Sequence, residues 1–144
     1  MINHNGHACI ADFGLLTIVS DQETFLLVTC TEGGTIPWMS PELLDPERFG
    51  FEEFRLTKES DCYALGMVIY EVLSGRTPFN WSLALAGKIT NGERPTRPQG
   101  VQGEWFGDSL WEMLEGCWKA QPKDRPSVKT VLEGLQDVTP PSRP

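Results

Sequence analysis

Asp12, Phe13 and Gly14 stand near the head of a 144-residue chain that later carries Ser40-Pro41-Glu42, then Asp61 before an apolar run, then Arg125-Pro126. These pieces differ chemically: a candidate metal-binding carboxylate, a turn that closes a loop, a helix start, and a lone arginine before a proline. Chance rarely strings them in that order. Other reactive groupings fall short. His4, His7 and Cys9 have a turn between the histidines and no further ligand pair, so they read as exposed hairpin residues rather than a metal site. The AGKIT stretch around Lys88 fails the phosphate-loop pattern because Ser82 stands where its first glycine belongs.

The elements that must position these residues are legible in part. Asn5-Gly6 suits a two-residue hairpin turn, with strands over 2–4 and 7–11 and Asp12 delivered at the end of the second. Between Gly14 and Glu42 no periodicity survives, and Gly33-Gly34, Pro37 and Pro41 punctuate a long loop. From Ser60, a plausible N-cap, Leu65, Val68, Ile69, Val72 and Leu73 recur at helical spacing, with Gly75 as the stop. Cys62, Ala64, Gly66, Met67 and Tyr70 make that helix apolar nearly all round, which places it at the buried centre of the domain.

Ser82 can cap a shorter helix through about Asn91, with Leu85 and Ile89 on one face, before Gly92, Pro95 and Pro98 break it. Leu110, Met113, Leu114 and Cys117 predict a third helix, and Val128, Val131, Leu132 and Leu135 a fourth, both packing on the centre. Trp105, Trp111 and Trp118 read as core anchors. The tail DVTPPSRP is proline-rich and expected to fray.

Composition sets the class. Hydrophobic residues are 40% and charged residues 22% of the chain, a globular balance. The net charge of -8 repels phosphate backbones and argues against nucleic acid or an anionic membrane surface. Residues 1–50 hold Arg48 alone against seven carboxylates, so the first third is acidic. Cys9, Cys30, Cys62 and Cys117 are scattered without a CxxC pair, as reduced thiols would be. No apolar run of about 18 residues occurs and the first ten lack a signal-peptide pattern, which points to a soluble cytoplasmic protein with no membrane insertion.

The segments IADFGL, GTIPWMSPE, SDCYALGMVIYEVLSG, RTPF, NGERPTRP, EGCW and DRPS together resemble the C-terminal lobe of a eukaryotic-type protein kinase, in the tyrosine-kinase-like serine/threonine group. The resemblance implies a mainly α fold: a small β-hairpin, a long activation segment, then four to five helices around a buried central helix. Residues 1–136 would be a partial kinase domain and 137–144 a tail.

It also implies roles. Asp12, with Phe13 and Gly14, would serve the nucleotide site, Asp12 binding magnesium that bridges the ATP phosphates. Thr35, Pro37 and Trp38 would line the substrate, with Thr35 beside the acceptor hydroxyl. Glu42 and Arg125 would form a buried ion pair, and Asp61 would begin the central helix and accept hydrogen bonds from the catalytic-loop backbone. Ser40 replaces the usual alanine before Pro41-Glu42. Thr29 and Thr31 are candidate phosphosites.

The glycine-rich loop, the lysine–glutamate pair and the HRDxxxxN loop of the family do not occur, so no general base is present. Two readings follow. In one, the chain is a fragment of a longer kinase that uses ATP and magnesium to phosphorylate Ser/Thr of protein substrates, is inactive alone and binds neither cofactor alone. In the other, it is a pseudokinase-like binding or regulatory module competing for a kinase's partners. Retention of Asp12 favours the first. Partners would be protein substrates or other kinase-domain segments, with self-association through exposed apolar surface.

Overall fold

The structure is a computed structural model and describes residues 2–7, 9 and 35–138. The chain divides into two compact units, Met1–Glu32 and Gly33–Pro144.

In the first unit the described residues form a turn. The Gly6 N–H donates to the Asn3 carbonyl at 2.9 Å and the Asn3 N–H to the His7 carbonyl at 2.8 Å, with Gly6 at φ 79°. The turn therefore encloses His4, Asn5 and Gly6, one residue more than the two-residue loop expected at Asn5-Gly6. Its cause is the Asn3 side chain, whose oxygen accepts from the Asn5 and His7 N–H groups and so starts the turn earlier. Most of the strand expected over 7–11 lies outside the described residues, as do Asp12, Phe13, Gly14, Thr29 and Thr31.

The second unit holds five α-helices among its described residues: α1 (Pro41–Leu44), α2 (Lys58–Ser74), α3 (Leu85–Thr90), α4 (Asp108–Cys117) and α5 (Val128–Gln136). The longest, α2, begins a turn earlier than the apolar pattern suggests. Thr57 is its N-cap: the Thr57 hydroxyl accepts from the Ser60 N–H at 3.1 Å while Ser60 Oγ accepts from the Thr57 N–H at 3.0 Å. Ser60 is not the cap but the third residue of the helix, where it closes this reciprocal box, because polar Lys58 and Glu59 supply a first turn that an apolar pattern overlooks. Gly75 ends the helix in the left-handed conformation, φ 68°.

Which face of α2 is buried also differs from expectation. Cys62, Tyr63, Gly66, Met67, Ile69 and Tyr70 are buried, whereas Val68 is 45% and Val72 is 73% exposed. Of the expected stripe only Ile69 is buried. A helix apolar nearly all round carries no periodic signal to choose a face, so its neighbours choose it. At Gly66 an added Cβ would lie 2.8 Å from both Cys117 Cβ and Trp118 Nε1, so the missing side chain is what lets α4 approach α2. Tyr70, Phe106, Trp111 and Trp118 surround that crossing with ring centroids 5.6–6.1 Å apart, mostly edge to face. Trp118 is buried; Trp105 and Trp111 are half-buried.

The remaining helices follow the same logic with shifted ends. Leu85 and Ile89 of α3 are fully buried, but Ser82 does not cap it: the Ser82 carbonyl accepts from the Leu85 N–H and its buried hydroxyl finds no partner among the described residues. In α4, Leu110, Leu114 and Cys117 are buried and Met113 half-buried. Only Val131 of the α5 stripe is buried; Val128 and Leu132 are exposed, because α5 packs mainly on α4 rather than on the central helix. No helix among the described residues is long and apolar enough to cross a membrane.

Candidate functional site

The stretch from Thr35 to Leu44 enters the helical body as one continuous run, buried from Ile36 to Leu43 except at half-buried Trp38. Pro37 sits in a short 3-10 turn, Ile36–Trp38, and Pro41 opens α1, two places where a fixed φ and a missing N–H cost little. Met39 and Ser40 are extended between them. Ile36, Pro37, Met39, Ser40, Pro41 and Glu42 are buried, while Thr35 remains exposed at the head of the turn with its hydroxyl uncommitted to a cap. The turn packs on α2 and α3, and α1 on α3.

Two side-chain ties hold this run. The Trp38 indole N–H donates to Glu71 Oε2 of α2 at 3.0 Å. At the far end, Glu42 and Arg125 meet in a fork: Nη1 to Oε1 and Nη2 to Oε2, both at 2.7 Å, with side-chain exposures of 3% and 0%. Charge-assisted, two-pronged bonding of this kind fixes direction as well as distance. The guanidinium is fully used: Nε donates to the Lys119 carbonyl at 2.9 Å and Nη1 also to the Glu59 carbonyl at 2.9 Å. One arginine thus joins α1, the start of α2 and the end of α4.

Tyr63 lies beneath this fork. The Arg125 guanidinium carbon is 5.1 Å from its ring centroid and that of Arg94 is 5.4 Å away. Arg94 in turn donates to the Trp118 carbonyl at 2.8 Å and the Ile89 carbonyl at 3.0 Å, closing the C-terminal ends of α4 and α3 with one cation. Burial pushes the Tyr63 hydroxyl up to about 12, against the opposing pull of Arg94 and Arg125, and that hydroxyl has no hydrogen-bond partner among the described residues. Burial likewise raises the Cys117 thiol to about 12, with the Cys62 thiol beside it adding to the rise. Both thiols are therefore neutral packing groups rather than nucleophiles.

Of the residues singled out from sequence, the structure brings together Glu42 and Arg125 and places Thr35, Pro37 and Trp38 on the same tethered run. Asp61 stands apart. It lies in the first turns of α2, exposed, and its carboxylate makes no hydrogen bond among the described residues. Asp12, Phe13 and Gly14 lie outside the described residues. Glu71, Tyr63 and Arg94 carry no such signal in the sequence: Trp38 and Glu71 are 33 positions apart and nothing periodic links them, while the NGERPTRP segment reads as a helix breaker and a family segment without marking Arg94 for a role. No group of three His, Cys, Asp or Glu side chains that could hold a metal exists among the described residues.

Comparison with known proteins gives a consistent result. The family model described as protein tyrosine and serine/threonine kinase matches residues 1–135. A probable serine/threonine-protein kinase of Dictyostelium discoideum is 30% identical over 140 residues, covering 96% of this chain and 14% of the relative. Receptor-interacting serine/threonine-protein kinase 3 of Rattus norvegicus is 31% identical over 145 residues, covering 92% and 28%. Mitogen-activated protein kinase kinase kinase 7 of Drosophila melanogaster is 28% identical over 145 residues, covering 96% and 18%. The chain spans between 8% and 28% of the length of the curated relatives it matches.

Proposed function

This chain belongs to the protein tyrosine and serine/threonine kinase family, and from that premise we propose that the kinase domain containing it transfers the terminal phosphate of ATP to serine and threonine hydroxyls of proteins. The observation that carries the reading is the tethered run from Thr35 to Glu42. Thr35 is exposed at the rim while the residues after it are buried and tied through Trp38–Glu71 and Glu42–Arg125. A rigid ledge with one free hydroxyl at its edge suits positioning of an acceptor side chain, where errors of about 1 Å are costly. Relatives named as serine/threonine kinases support the same choice of acceptor.

The 144 residues contain neither a glycine-rich loop nor an HRDxxxxN loop. The chain in hand is thus read as the C-terminal part of a kinase domain, with the base and the lysine supplied by those elements. Magnesium held in part by Asp12 would neutralise charge on the phosphates. The chain's own contribution is the acceptor ledge and the scaffold beneath it.

With ATP, magnesium and a protein substrate, the chain alone is expected to transfer no phosphate above the blank. Joined behind the missing elements from a relative, it should yield phosphoserine and phosphothreonine, and Asp12→Asn should abolish the product. Phosphotyrosine as the sole product, or transfer by the chain alone that Asp12→Asn removes, contradicts the proposal.

Val68 and Val72 are exposed on one face of α2, which half-buried Leu65 shares. In the joined domain other kinase segments would cover it; in the chain alone it should drive self-association. Sedimentation velocity should show association reduced by Val68→Lys with Val72→Lys. A wild-type chain that stays monomeric at high concentration refutes this part.

A further inference from the structure

Beyond phosphoryl transfer, we propose that the groove between α4 and α5 is a docking site for a basic, amphipathic protein segment. The groove encloses about 830 Å³, within the range of sites that take small ligands or a few side chains, and too small for a domain. Its walls are two helical stripes. Asp108, Glu112 and Gly116 recur four apart along α4, and Thr130 and Gly134 of α5, with Asp137 just past its end, line the other side. Leu110 and Met113 form an apolar floor. Gly134 holds the helices close there, since a Cβ on it would lie 2.9 Å from Met113 Sδ.

Charge decides the occupant. Glu104, Glu112, Asp124 and Asp137 are exposed on the rim, and none of them forms an ion pair among the described residues. Asp108 is held by Arg97 at 2.8 Å. The cation that lines the groove, Arg125, is spent on Glu42 with its side chain 0% exposed. Carboxylates converging on an apolar floor without a counter-charge repel one another and attract lysine or arginine, with the greatest effect at low salt. The floor asks for an aliphatic side chain between those cations, which a simple polyamine lacks and an amphipathic peptide supplies. Nucleic acid and anionic lipid carry the wrong sign.

The test titrates the 144-residue chain with three fluorescent peptides: lysine alternating with leucine, lysine with serine, and glutamate with leucine. The first should bind at 50 mM salt, at least tenfold more tightly than the second, and the third should not bind. Glu112→Lys with Asp137→Lys, both at exposed positions, should weaken the first peptide at least tenfold with the circular dichroism unchanged. Glu47→Lys with Glu52→Lys makes the same charge change away from the groove and should alter binding less than twofold. Equal losses for the two double variants would show attraction to net charge only and overturn the proposal. So would unchanged affinity in the groove variant, or a groove variant that changes only the oligomeric state, which would assign the groove to a second copy of the chain.

Discussion

Arg125→Met should destabilise the helical unit by about 3–5 kcal/mol, because Glu42 is then left charged and buried with no partner. Urea unfolding followed by tryptophan fluorescence reads this directly, and the midpoint should fall with little change in slope. The loss exceeds that of an ordinary surface arginine for a structural reason. The same guanidinium also satisfies the carbonyls of Lys119 and Glu59, so its removal orphans several acceptors at once. Glu42→Leu combined with Arg125→Met should cost less than the sum of the single changes, since replacing both charges removes the unpaired carboxylate. A loss under about 1 kcal/mol for Arg125→Met would mean that solvent reaches the pair.

Tyr63 gives the second large effect, through a contrast. Tyr63→Ala removes a fully buried ring and its contacts with two guanidinium groups, and should cost about 3–5 kcal/mol. Tyr63→Phe keeps the ring and deletes a buried hydroxyl that has no partner among the described residues, so it should be neutral or stabilising by up to about 1 kcal/mol. The two variants also part with pH. The folded hydroxyl titrates at about 12 against an ordinary 10.0. A raised folded value means its contribution is complete below pH 10 and lost as pH rises through about 12. Tyr63→Phe should therefore resist alkaline unfolding better than wild type. Equal losses from Ala and Phe would show that the hydroxyl has a partner after all.

Legibility in the sequence tracked the range of each interaction. Signals carried within a turn or two were readable: Gly75 as the stop of α2, Leu85 and Ile89 as one face of α3, Leu110 and Leu114 in α4. The start of α2 was misplaced because the Thr57–Ser60 box lies in a polar first turn. The buried face of α2 was misread because Leu65, Val68 and Val72 are as apolar as Cys62, Met67 and Ile69, and only the partners distinguish them. Ties across many positions had no local trace. Trp38–Glu71 is one, and the arginines of the Arg-Pro pairs are another: Pro95 and Pro98 read as punctuation, whereas Arg94 donates to carbonyls at the ends of α4 and α3, and Arg97 to that of Phe106 just ahead of α4. Glu42 and Arg125, separated by 83 positions, were paired in advance only through family resemblance.

A ledge that positions an acceptor hydroxyl must be rigid, and rigidity here rests on the ties at its two ends. Amide hydrogen exchange of Trp38, Met39, Leu43 and Asp45, whose N–H groups bond within the run, measures it most directly. In the wild-type chain these amides should exchange as slowly as the middle of α2, by way of global unfolding. In Arg125→Met they should be released ahead of α2. Wild-type amides that exchange at the rate of an unstructured loop would contradict the account, since the run would then be neither buried nor held.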